Sequence, residues 1–175
     1  MYLLDTELLL DLRNGVAGSP DTGAIPAAPS DNGTAGLLAW AGSVARQSLF
    51  LASVSLVELE RAATAARRRN RETGLVWRDW IDSQLLPAFE GRILAVDAAV
   101  ARRQADLSLP TMRDALLAAT ALAHNLTLAT YHPGLYRPAR LRTFDPRGYV
   151  PEMENDWREA ARTGSAWLRN LFVRA

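Results

Sequence analysis

Short apolar runs separated by longer helical patterns restrict most tightly how this chain can fold. YLL (2–4), SLFLASV (48–54), RILAV (92–96), LTLAT (126–130) and RLRTF (140–144) are brief, apolar or β-branched, and read as strands. Between them the apolar residues recur at helical spacing. Leu56, Leu59, Ala63 and Ala66 share one face of a helix ending in RRR, and a second helix is expected over 76–89, apolar at Val76, Trp77, Trp80, Ile81, Leu85 and Leu86. Further helices are expected over 6–12, 36–45, from Asp97 to about Leu107, and over 112–125. Strands that alternate with helices predict an α/β chain whose short parallel sheet is covered on both faces.

Local signals set the expected boundaries. Ser55 is the expected N-cap of its helix, with Glu58 at the capping-box position. Thr73 and Gly74 should break that helix from the next. Asp97 should cap the helix after RILAV, Pro110 and Thr111 should open the one after that, and Asn125 suits its end. Residues 13–35 are rich in Gly, Pro, Ser, Asn and Asp without an apolar period, and are expected to form a long surface loop. Residues 157–172 can form a helix outside the repeat. The expected division is one domain over 1–149, with 13–35 inserted, and a helical extension over 150–175.

Composition removes several classes of function. A net charge of +1 gives no global attraction to nucleic acid. The basic residues are all Arg, whose planar fork suits phosphate, although genomic base composition is the favoured explanation of the bias. The absence of Cys excludes disulfides, thiol catalysis and Cys-ligated zinc. No basic segment precedes the first apolar run, and no run approaches the ~20 residues of a membrane span. A cytoplasmic protein with no membrane partner is expected. The glycines match neither a Walker nor a dinucleotide fingerprint.

Three carboxylates carry the chemistry. Asp5 ends the first strand, Glu58 lies early in the helix after the second, and Asp114 opens the helix before LTLAT. In a parallel sheet, strand carboxyl ends and the amino ends of the following helices gather on one edge. Acids gathered there repel one another unless a cation sits among them, and their hard oxygens suit Mg²⁺ or Mn²⁺. A bound ion of that kind activates water and offsets charge on a phosphate. Singly, each acid also has an ordinary structural reading, as a helix cap or as a partner of a helix dipole.

YLLDT, SLVELERA, LLPAFEGRILAVDAAVA and PTMRDALLAATALAHNLTLAT together resemble the PIN domain, specifically the VapC-type toxins of bacterial toxin–antitoxin modules and the similar FitB-like ribonucleases. The resemblance spans residues 1–12 and about 48–145. It implies a PIN-like α/β/α sandwich and a Mg²⁺- or Mn²⁺-dependent endoribonuclease, commonly dimeric and neutralised by an antitoxin protein. Asp5, Glu58 and Asp114 take the family's acidic positions, and Thr6 its small hydroxyl residue. Glu7 stands where a small polar residue is usual. After LTLAT the family's further acid is absent, with His132 in that region. These departures bear on catalysis and leave the fold expectation intact. They lead to an expectation of weak metal binding that favours Mn²⁺.

Other residues admit two readings each. Arg67, Arg68, Arg69 and Arg71 form a basic run that either meets RNA phosphates or is a solvated helix end. Arg113 either steers phosphate or pairs with a carboxylate. Trp77 and Trp80 read as core or dimer interface ahead of base-stacking platforms. The leading function is a toxin ribonuclease. The alternative is a catalytically weakened or inactive PIN-like module that binds RNA or a protein partner. A phosphatase-like hydrolase with Asp5 as nucleophile is a third reading, weakened by Glu7 where a second Asp is wanted.

Overall fold

Strand β1 (Tyr2–Leu4) lies at the centre of a five-stranded parallel sheet of order β3-β2-β1-β4-β5. Its neighbours are β2 (Leu49–Ala52) and β4 (Thr127–Ala129), with β3 (Ile93–Leu94) and β5 (Thr143–Phe144) at the edges. The structure, a computed structural model, describes residues 1–17 and 31–150. The chain is thus an α/β/α sandwich, as expected. The C-terminal helix expected over 157–172 lies outside the described residues.

Alternation along the strands creates two cores. Leu4, Leu49, Leu51 and Ala129 face one side, where α1 (Thr6–Ala17), α2 (Asp31–Ser43), α3 (Ser53–Arg69) and α4 (Arg71–Trp80) pack. Leu3, Ala52 and Leu128 face the other, against Leu117, Ala118 and Ala121 of α7 (Met112–Ala123). The helix before it, α6 (Ala98–Ala105), packs on α7. Both faces being apolar is why these strands read as continuous apolar runs. Tyr2, Trp40 and Phe144 form an aromatic cluster, with ring centroids 5.1 to 5.7 Å apart, that ties α2 to the sheet.

Helix boundaries differ from expectation in three places. Helix α3 begins at Ser53, straight from the end of β2, with Ala52 rather than Ser55 at the N-cap and no side-chain cap bond. Ser55 is fully buried, on the same face as Leu59 and Ala63, so packing has taken the residue that capping would have used. Glu58 consequently lies in the second turn and is no capping partner.

The break between α3 and α4 falls at Asn70, not at Thr73 and Gly74. The Asn70 side chain accepts from Glu72 N (2.8 Å) and Thr73 N (3.4 Å) and caps α4. Gly74 lies inside α4, where a Cβ would come within 2.3 Å of Arg67 Cβ. The glycine therefore permits close helix contact instead of ending a helix. Gly74→Ala normally stabilises an exposed helix, but here steric overlap should reverse the sign. A loss of ~1–3 kcal/mol in urea unfolding is expected. Beyond Trp80 the chain continues through a π-helical segment (Ile81–Leu85) into α5, a single turn (Leu86–Ala88).

The expected loop over 13–35 is shorter at both ends, because α1 runs to Ala17 and α2 starts at Asp31. Tertiary anchors extend these helices. Arg13 is buried with its guanidinium 4.1 Å from the Trp77 ring centroid, and burial lowers its pKa. Leu37, Trp40 and Ala41 bury α2. Residues 18–30 lie outside the described residues. The other caps follow expectation: Asp97 accepts from Val100 N, Thr111 accepts from Asp114 N, and Asn125 turns left-handed (φ 52°) just past α7.

Candidate functional site

The sheet order reverses direction beside β1, since the chain moves outward through β2 and β3 and then returns to β4 on the other side. Such a switch point opens a crevice at the strands' carboxyl ends. Asp5 stands there. Its N–H donates to Ala129 O (3.0 Å), and its carbonyl accepts from Leu8 N (3.1 Å), so one residue both closes the β1–β4 ladder and starts α1. Its side chain is only 2% exposed. Thr130, at the end of β4, donates its hydroxyl to Asp5 Oδ2 (2.8 Å).

Asp114 arrives at the same edge because α7 leads into β4 and therefore starts where the strands end. Thr111 fixes it twice, accepting from Asp114 N (3.1 Å) and donating to Asp114 Oδ2 (2.7 Å). Glu58 arrives from α3, and the Thr6 hydroxyl donates to its Oε2.

Arg113 joins the three acids. Its Nη2 pairs with Asp5 Oδ1, its Nε lies 3.2 and 3.1 Å from Glu58 Oε1 and Oε2, and its Nη1 lies 3.0 Å from Asp114 Oδ1. Of the two sequence readings, pairing with carboxylates is the one the structure displays, with all three at once. Burial alone would lower the Arg113 pKa, but the charge of Asp5, its hydrogen bonds to Asp114 and Asp5, and the charge of Glu58 raise it well above the usual value. Three carboxylates around one guanidinium leave a formal surplus of negative charge in the crevice.

The remaining residues fall into place around this cluster. Tyr136, fully buried, accepts at its hydroxyl oxygen from Arg113 Nη1 (3.4 Å). Burial, followed by the nearby Asp5 charge, pushes its hydroxyl pKa up, so it stays a neutral phenol. Sequence reasoning missed Tyr136, Thr130 and Thr111 as site residues. The threonines were legible as hydroxyls beside strand end and helix start, but Tyr136 had no local signal. His132 turns away from the cluster: its ring Nε2 lies 3.0 Å from Glu7 Oε2, and both side chains are more than half exposed. Only the His132 backbone N–H meets the site, through Thr130 Oγ1 (3.1 Å). Trp77 and Trp80 are buried core residues in edge-to-face contact at 6.0 Å. Arg67, Arg68, Arg69 and Arg71 are exposed where α3 meets α4, about 15 Å along α3 from Glu58 at helical rise.

Thr130→Val should report on the support given to Asp5. It removes a donor from a buried carboxylate oxygen at nearly constant volume, and should cost ~1–3 kcal/mol in denaturant unfolding. An unchanged midpoint would show that water replaces the hydroxyl.

A model of the PIN domain family matches residues 2–141. This chain belongs to the PIN domain family. Over 118 residues it is 28% identical to VapC ribonuclease Y4jK of Sinorhizobium fredii, covering 63% of this chain and 83% of that one. It is 29% identical over 135 residues to plasmid stability protein StbB of Pseudomonas syringae pv. tomato, covering 72% and 95% respectively. Among solved structures, FitAcB from Neisseria gonorrhoeae superposes with a TM-score of 0.68 at 25% identity, over 85% of this chain and 99% of that one. The likeness to VapC-type PIN proteins therefore extends from motif to fold.

As donors, three carboxylates on the PIN sheet edge match the oxygen preference of Mg²⁺ or Mn²⁺. Among the described residues, no three His, Asp or Glu side chains stand at spacing ready to share an ion. Arg113 lies among the carboxylates instead.

Proposed function

We propose that this PIN domain is a Mg²⁺- or Mn²⁺-dependent endoribonuclease, the toxin of a bacterial toxin–antitoxin pair. The observation that carries the reading is the convergence of Asp5, Glu58 and Asp114, distant in sequence, on one guanidinium at the switch-point edge. Similarity to proteins named VapC ribonuclease and Toxin FitB supports it. Asp5 and Asp114 would hold the ion, with Glu58 binding it directly or through water. When bound, such an ion polarises water and offsets negative charge developing on the phosphate. Thr130, Thr111 and Thr6 each hold one oxygen of these carboxylates by a hydrogen bond, which supports the side chains from behind. The exposed arginines at 67, 68, 69 and 71 offer a landing surface for RNA phosphates beyond the crevice.

The partners proposed are an RNA substrate, an antitoxin and a second copy of the chain. Similarity to FitAcB and to Toxin FitB of Neisseria gonorrhoeae supports the antitoxin. Exposed Val57, Leu75 and Val76 on α3 and α4 provide apolar surface for a second copy. The site of action proposed with them is the cytoplasm; among the described residues no helix is long and apolar enough to cross a membrane.

The test is cleavage of structured RNA by the purified protein with Mg²⁺, Mn²⁺ or chelator. Cleavage only with metal, together with growth arrest on expression that a small adjacent open reading frame relieves, is expected. Equal cleavage in chelator would overturn the metal-dependent reading. A second reading, a weakened PIN module that binds RNA or protein, draws on the segment after β4. In that segment Thr130 meets Asp5 through its hydroxyl, and the phenol of Tyr136 meets the cluster by accepting from Arg113 Nη1. RNA binding without cleavage under every metal condition would favour it.

A further inference from the structure

We infer that Arg113 is a built-in cation that occupies the acidic centre until a divalent ion displaces it, so that metal binding is an exchange and not an addition. The inference rests on the metal-dependent reading above and concerns how that site is regulated.

Hydrogen-bond accounting carries it. All six oxygens of Asp5, Glu58 and Asp114 accept from protein donors. Four of the six are held by Arg113: Asp5 Oδ1, Glu58 Oε1, Glu58 Oε2 and Asp114 Oδ1. The other two, Asp5 Oδ2 and Asp114 Oδ2, are turned toward Thr130 and Thr111. The oxygens that point inward are thus the ones the guanidinium already satisfies. Each of its edges is spent on a different acid: Nε on Glu58, Nη1 on Asp114 and Nη2 on Asp5. A planar fork can serve three carboxylates in this way, whereas a Lys ammonium is a point charge. An ion reaching the inward oxygens must take the space of the guanidinium.

The same geometry makes the exchange feasible. A guanidinium offsets only one of three formal negative charges, so the Coulomb attraction of the cluster is larger for a divalent ion than for Arg113 at equal separation. The Arg113 side chain is 26% exposed, against 2% for Asp5, so it has a route outward toward solvent. There its fork becomes available to the phosphate of an incoming strand. Before exchange, every carboxylate oxygen of the site has a hydrogen-bond donor within the chain, although the formal charges do not balance.

Mn²⁺ titration of the whole protein, followed by calorimetry and by the electron paramagnetic resonance signal of free Mn²⁺, tests this without reference to cleavage. Arg113→Gln should bind Mn²⁺ on the order of tenfold more tightly than wild type, the scale of one displaced charge-assisted hydrogen bond. Without metal its thermal midpoint should fall, and saturating Mn²⁺ should restore it. Arg113→Lys keeps a positive charge without the three-edged fork and serves where the Gln variant does not fold; it too should bind Mn²⁺ more tightly than wild type. In Arg113→Ala, added guanidinium at non-denaturing concentration should weaken Mn²⁺ binding, as a competitor for the vacated space. Equal or weaker Mn²⁺ binding by the variants, with wild type binding normally, would overturn the exchange and leave the metal reading standing. No Mn²⁺ binding by wild type or by any variant would remove the metal reading, and the exchange with it.

Discussion

Asp5→Asn should leave the protein folded and lower metal-dependent RNA cleavage by roughly 10²-fold or more. Asp5 is nearly sealed from solvent and joins two strands and a helix through its backbone, which the substitution does not touch. Asn retains one oxygen and adds an N–H₂, so either Thr130 or Arg113 loses its best partner. That should cost stability ~1–2 kcal/mol, well short of unfolding. Loss of a full negative charge from the centre is the larger effect, because a divalent ion is held there by charge above all. Cleavage assays and Mn²⁺ titration should fail together. Undiminished cleavage by a folded Asp5→Asn protein would remove Asp5 from the catalytic set.

The largest effect on stability is expected at Trp40. It is 2% exposed and packs edge-to-face on Tyr2 at 5.1 Å and against Phe144 at 5.2 Å. Trp40→Ala empties that space beside the central strand and the last strand together, and should cost ~3–5 kcal/mol in urea unfolding. Because Tyr2 begins the strand that ends at Asp5, loosening should also reach the site. Added Mn²⁺ should recover part of the thermal midpoint if the acids still converge. A loss under about 1 kcal/mol would mean that α2 is not anchored to the sheet through this residue.

The α/β class was legible because its signals are local and physical. Strands buried on both faces must be apolar at successive positions, and YLL, SLFLASV and LTLAT are. A helix that starts from Thr111 or Asp97 carries its capping residue in the sequence. The acids were legible for a related reason: strand ends and helix starts of a parallel sheet share an edge, so residues at those points can be grouped without coordinates. Ser55 and Gly74 misled for the opposite reason. Each has a local meaning, as cap and as breaker, that burial against a neighbouring element overrode.

By itself, then, the sequence determined the element order, the sheet direction and which acids can meet. All three follow from periodicity and from chain direction, which are properties of the chain alone. Tertiary structure decided what stands among those acids. Arg113 precedes Asp114 by one residue, and nothing local says whether its side chain turns to solvent or inward. Only the approach of β1, α3 and α7 at one edge brings Asp5, Glu58 and Asp114 around it. The same approach turns His132 out toward Glu7 and Tyr136 in toward Arg113. A charge on a flexible stem goes where the summed field of distant carboxylates is strongest, and that field exists only once the sheet has formed.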